Sequence, residues 1–162
     1  VLGILVASIS FLEYKKINAE YEKEAFEVAK YVVTHTSGVN FYSPESQYIK
    51  VAEVFRDWPS VPIHTSDGHF EIKMPRVDAN EYDNLNQFII NSKQIGISHL
   101  VIDTDSNMPN FLIDIFEFEK KYPYLIKEYD SKEKGMDYHV KIFRINYEEL
   151  ENRQLEEIKI QS

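Results

Sequence analysis

The chain has 162 residues, 43% hydrophobic and 14% aromatic, which is enough apolar material for one domain with a real core and excludes wholesale disorder. Its 27 acidic against 18 basic residues leave a net charge of −9. That balance argues against a nucleic-acid partner, which needs a basic surface to displace counterions, and against whole-surface docking on anionic lipid. There is no cysteine, hence no disulfide framework, thiolate metal site or cysteine nucleophile.

Residues 1–12 carry no charge and no polar helical face. The run is shorter than the ~20 apolar residues of a full membrane span. It opens on Val1 and not on Met, so the expectation is the end of a transmembrane helix whose upstream part belongs to a longer protein. Glu13, Lys15 and Lys16 then mark the exit from the bilayer, with Phe11 and Tyr14 near its interface. A buried core helix competes with this reading. So does a signal-peptide remnant, although it lacks a basic n-region and a small-residue cleavage site.

Residues 19–34 read as an amphipathic helix. Tyr21, Ala25, Val28, Ala29 and Val32 fall at helical spacing, and Glu20, Glu22, Lys23, Glu24 and Lys30 form a solvated face. Residues 39–42 are a short strand. Ser43 caps and Pro44 opens the next helix, which carries Ile49, Ala52 and Phe55 and closes at Trp58-Pro59. A strand running into a capped helix is the βα unit of a doubly wound fold, but this turn lacks the glycines that cradle phosphate. Residues 59–81 are irregular, with one strand expected over 69–74; loops of this length are often functional.

Residues 82–95 form a helix with Leu85, Phe88, Ile89, Ser92 and Ile95 on one face and Asn80 or Asp83 as cap, ended by Gly96. Ile97, Leu100, Val101 and Ile102 make a short, largely β-branched run that stops at Asp103. This is the pattern of a strand covered on both faces. A helix follows Asn107-Met108-Pro109, bearing Leu112, Ile113, Ile115, Phe116 and Phe118. Residues 125–129 and 138–145 are strands joined through the charged, Gly135-containing stretch 131–137 as a β-hairpin. The Glu-rich tail from Glu148 is a frayed helix. The expected organisation is a membrane exit over 1–18, an α/β domain over 19–147 and a charged tail over 148–162. The domain is three-layered and Rossmann-like, with a mostly parallel, mixed sheet.

Asp103 and Asp105 are the sharpest chemical motif. Two carboxylates one residue apart at a strand's carboxyl end can share a divalent cation, as in metal-dependent transferases and phosphatases. The phosphatase pattern is broken by Asn107, and capping of the following turn and helix explains the same residues. His64, Asp67 and His69 could hold zinc, but their spacing matches no motif with a physical rationale, and polar loops collect such residues by chance. His35 and His139 read as surface residues, His99 as a satisfied, partly buried imidazole. Ser43 lacks the Gly-x-Ser-x-Gly elbow of a serine hydrolase. A membrane-anchored sensor using residues 59–81 as its ligand loop is a further alternative.

Several phrases in order carry a resemblance. An apolar helix end runs into an amphipathic helix, and the turn Tyr42-Ser43-Pro44-Glu45 follows. Then come the strand Gly96-Ile97-Ser98-His99-Leu100-Val101-Ile102-Asp103, the helix end Lys121-Tyr122-Pro123-Tyr124-Leu125, and the strand Tyr138-His139-Val140-Lys141-Ile142-Phe143-Arg144-Ile145. Over residues 1–147 this resembles the extracytoplasmic C-terminal domain of polytopic membrane glycosyltransferases of the dolichyl-phosphate-mannose–protein mannosyltransferase-like group. The resemblance implies a polyprenyl-phosphate-linked sugar donor, a protein or glycan acceptor, and an upstream transmembrane domain as partner. It places the domain on the extracytoplasmic side of the membrane. The family's catalytic carboxylate lies after its first membrane helix, so no catalytic residue carries over here, and the domain is accessory. No cofactor is implied beyond the divalent cation considered at Asp103 and Asp105.

Overall fold

The apolar run at residues 100–102 becomes an inner strand because both of its faces find cover. The computed structural model describes residues 2–36, 39–41, 43, 46–54, 77–104 and 107–161. Strand β2 (Ile97–Asp103) lies between β1 (Val39–Phe41) and β4 (Val140–Ile145), and β3 (Leu125–Asp130) flanks β4 on the outside. β1 runs parallel to β2, whereas β4 is antiparallel to both β2 and β3. The described residues are therefore α/β, with an open, four-stranded mixed sheet. The expected excess of parallel pairs is corrected: among the described strands only β1 and β2 are parallel neighbours. A parallel pair needs a crossover of a dozen or more residues, and the long β1–β2 connection supplies it; the short link from β3 to β4 permits only antiparallel pairing.

Side chains alternate across the strands into two cores. Leu100, Ile102 and Phe143 join Phe88 and Ile89 of α3 (Leu85–Gln94) and Leu112 of α4 (Asn110–Glu117). Val101, Val140 and Ile142 join Ala25, Val28 and Ala29 of α1 (Leu2–His35) and Ile49 of α2 (Gln47–Val54). Burial of each large aliphatic or aromatic side chain contributes roughly 1.5–3 kcal/mol, so these two layers carry most of the favourable term.

The apolar start and the amphipathic helix, expected as separate segments, are one α-helix of 34 residues. At 1.5 Å per residue it is about 51 Å long. Its expected apolar stripe is the buried one: Ala25, Val28, Ala29 and Val32 are buried and Tyr21 is half-buried. Glu24 departs from the solvated face assigned to it. Its Oε2 accepts the backbone N–H of Asp137 at 2.9 Å and of Tyr138 at 2.8 Å, in the link between β3 and β4.

Local signals set the other boundaries. Asn84, and not Asn80 or Asp83, caps α3, accepting the Gln87 N–H at 3.1 Å; Asp78 caps a short 3-10 turn before it. Gly96 turns into β2 with φ +78°, a left-handed value that glycine adopts without penalty. Pro109 is the N-cap of α4, so Asp103 does not cap that helix. On α4 the buried positions are Leu112, Ile115 and Phe116, while Ile113 and Phe118 are exposed.

The expected frayed tail is a helix, α5 (Tyr147–Gln161), and its first turn belongs to the domain. Leu150 enters the core, and the Tyr147 hydroxyl donates to the Ile97 carbonyl at 2.6 Å. Burial pushes that phenol up to about 12. The expected strand over 69–74, Tyr42, Pro44, Glu45, Phe55 and Trp58 lie outside the described residues, as does all but the end of the 59–81 stretch.

Candidate functional site

Asp103 ends β2 and is buried, 4% exposed. Its Oδ2 accepts the Tyr138 hydroxyl at 2.7 Å, and that hydroxyl in turn accepts the Tyr48 N–H at 3.3 Å. Tyr138 lies in the β3–β4 link and is fully buried, with the Tyr21 ring 5.1 Å away. Ser131 fixes the same link from the other end. Its hydroxyl donates to the Tyr138 carbonyl at 2.6 Å and accepts the Val140 N–H at 2.7 Å. Asp103 thus acts as a buried acceptor that ties β2, α2 and the β3–β4 link together. Asp105, and the zinc candidates His64, Asp67 and His69, lie outside the described residues. Among the described residues no three His, Asp or Glu side chains converge as a metal site.

A second polar group crosses the sheet on the α1 side. His99, 3% exposed, pairs across strands with Arg144. Its Nδ1 lies 2.8 Å from Ser98 Oγ, and its Nε2 lies 3.3 Å from Glu128 Oε2. Glu128 also accepts the Arg144 Nε–H at 2.7 Å. Burial holds the His99 imidazole below its usual range, with Arg144 pushing the same way and Glu128 opposing. The neutral ring fits both contacts when Nε2–H donates to Glu128 and Nδ1 accepts from Ser98. The expectation of a satisfied imidazole is met. Glu128 reaches this face by the regular alternation that also points Ile126 toward Arg144; the bulge that follows, with Lys127 opposite Phe143 but Tyr129 opposite Ile142, puts Tyr129 on the same face.

Lys127, in regular register with Phe143, faces the opposite side of the sheet. There its Nζ lies 3.0 Å from Glu119, 3.5 Å from Asp130 and 2.9 Å from Glu133. Lys141 Nζ donates to the Phe116 carbonyl at 2.7 Å and to Glu119 at 3.1 Å. His139 is corrected from a surface residue to a half-buried one, 3.2 Å from Asp130 and edge-on to Phe116 at 4.6 Å. His35 is exposed as expected and stacks on Tyr31 at 4.3 Å.

A groove of about 470 Å³ opens where the N-termini of α3 and α4 meet, between residues 82–85 and 108–111. α3 leads through Gly96 into β2, and α4 starts shortly after β2 ends, so the groove lies at the carboxyl end of β2. That is where open α/β sheets take their ligands. The sequence reading missed it because its two walls lie more than twenty residues apart in the chain. Among the described residues no helix is long and apolar enough to cross a membrane. Comparison with protein-family models, with characterised proteins and with solved structures found no match to this chain.

Proposed function

We propose that this chain is an accessory, extracytoplasmic domain of a membrane glycosyltransferase that takes its sugar from a polyprenyl-phosphate donor, and that it is not itself catalytic. The single observation behind this reading is α1. Its first eleven residues, 2–12, are uncharged and span about 16 Å at 1.5 Å per residue, roughly half of a ~30 Å hydrocarbon core. The same helix continues without a break into the stripe that packs on the sheet. Such a helix transmits the position of a membrane-embedded upstream domain to the sheet. The resemblance in element order supports the enzyme class, and a three-layer, Rossmann-like arrangement is part of the same reading.

Asp103 is occupied as a buried acceptor for Tyr138, which favours a structural role over metal chemistry with Asp105. Alkaline carbonate extraction of native membranes, followed by detection of this domain, tests the membrane assignment. The expected result is retention in the pellet together with protease accessibility from the extracytoplasmic side. Release into the supernatant, or protection from protease on that side, overturns it.

A further inference from the structure

The groove at the carboxyl end of β2 has a recognisable chemistry. Tyr82 and Phe111 line it from opposite walls. Both rings rest on the fully buried Phe88, at centroid distances of 5.6 and 5.5 Å. The Tyr82 hydroxyl also accepts the Asn91 side-chain amide, which fixes the ring further. These rings are therefore locked in place before any ligand arrives. Around them stand Asp83, Asn84 and Asn110, all exposed. Among the described lining residues none is Lys, Arg or His, and Asp83 adds a negative charge.

We propose that this groove binds a neutral carbohydrate, a pyranose unit of a glycan. Pyranoses present C–H faces that pack on the electron-rich faces of aromatic rings, and hydroxyls around the edge that bond to carboxylates and amides. The lining offers both kinds of partner. The volume falls within the few hundred to about 1,000 Å³ of small-ligand sites. Among the described lining residues no cationic side chain meets a phosphate and Asp83 opposes one, which favours a neutral sugar over the phosphate-bearing donor. This inference rests on the glycosyltransferase reading for its meaning, since it names the acceptor glycan as the ligand of the accessory domain.

The test is a ¹⁵N-NMR titration of the full chain with methyl hexopyranosides and their neutral di- to tetrasaccharides. Hexose 1-phosphate and inorganic phosphate form the comparison arm. Saturable shifts are expected at the amides of residues 82–85 and of Met108, Asn110 and Phe111. Asp83→Ala and Asn110→Ala, both at exposed positions, should each weaken binding about fivefold, the loss of one hydrogen bond, while leaving the remaining spectrum in place. Silence at those amides up to the solubility limit of the sugars overturns the proposal. So do shifts that neither variant alters, or tighter binding of the phosphate-bearing probes. A groove that binds glycans in a protein without transferase activity defeats the enzyme reading alone, and a silent groove in an active transferase defeats this inference alone.

Discussion

Glu24 of α1 holds the backbone N–H of Tyr138 at 2.8 Å, and thereby joins the long helix to the link between β3 and β4. The same carboxylate oxygen takes the Asp137 N–H at 2.9 Å. Two N–H groups converging on one charged oxygen make a stronger joint than neutral hydrogen bonds do. Tyr138 passes the connection on to Asp103 at the end of β2. The helix and the centre of the sheet are thus coupled through named polar contacts as well as through packing.

Glu24→Ala should lower stability by roughly 1–3 kcal/mol, because two backbone donors lose a charged acceptor. Glu24→Gln should cost less, since its carbonyl oxygen still accepts. Urea unfolding measures both. Hydrogen exchange at Asp137 and Tyr138 should speed up in the alanine variant, while exchange in β2 keeps its order of protection.

Tyr138→Phe should destabilise by roughly 1.5–3 kcal/mol, the range for a hydrogen bond to a charged group, because the buried Asp103 loses this donor. A double-mutant cycle with Asp103→Ala, which removes the acceptor, isolates the pair. The expected coupling energy is well above zero, and additive effects would show that the 2.7 Å contact contributes little.

Much of this domain was legible in the sequence, and the parts that were not share a cause. β2, the buried stripe of α1 and the turn at Gly96 follow from local periodicity and from one residue's backbone freedom. Glu24 looked like any other helix-surface carboxylate, because its partners are Asp137 and Tyr138, far away in the chain. Tyr129 and Asp130 could not be assigned to faces by alternation, because the bulge after Lys127 shifts the pattern. His139 follows a charged link and looked exposed, yet Asp130 and Phe116 enclose it. The groove depends on bringing residues 82–85 against 108–111, which no local pattern encodes. The antiparallel balance of the sheet had the same origin, since strand order is a non-local property.

Gly96→Ala tests the backbone directly. A Cβ at Gly96 meets nothing within 4 Å, so the substitution is not a steric clash. The cost comes from φ +78° alone and should be roughly 1–2 kcal/mol, read as a fall in the urea midpoint with an unchanged m-value.

His99 sets a pH dependence. Burial lowers its folded-state pKa below the ordinary value, so the folded chain binds fewer protons than the unfolded chain as the pH falls. Its contribution to stability is complete above the unfolded value of about 6.5 and is lost progressively as the pH drops from there toward the folded-state pKa. His139, lowered chiefly by burial as well, acts in the same direction. Unfolding free energies measured between pH 7.5 and pH 5 should decline, and His99→Gln should make the decline shallower. A stability that rises on acidification across that window would reverse the assignment.

The most direct test of the central claim is a transfer assay on the native protein, isolated from its source with an antibody to this domain. Radiolabelled sugar on a polyprenyl phosphate is supplied together with membrane acceptors. The account predicts transfer of label to protein or glycan by the isolated protein, and none by the 162-residue chain alone. Transfer by the chain alone, or no transfer by the native protein in active membranes, would contradict it.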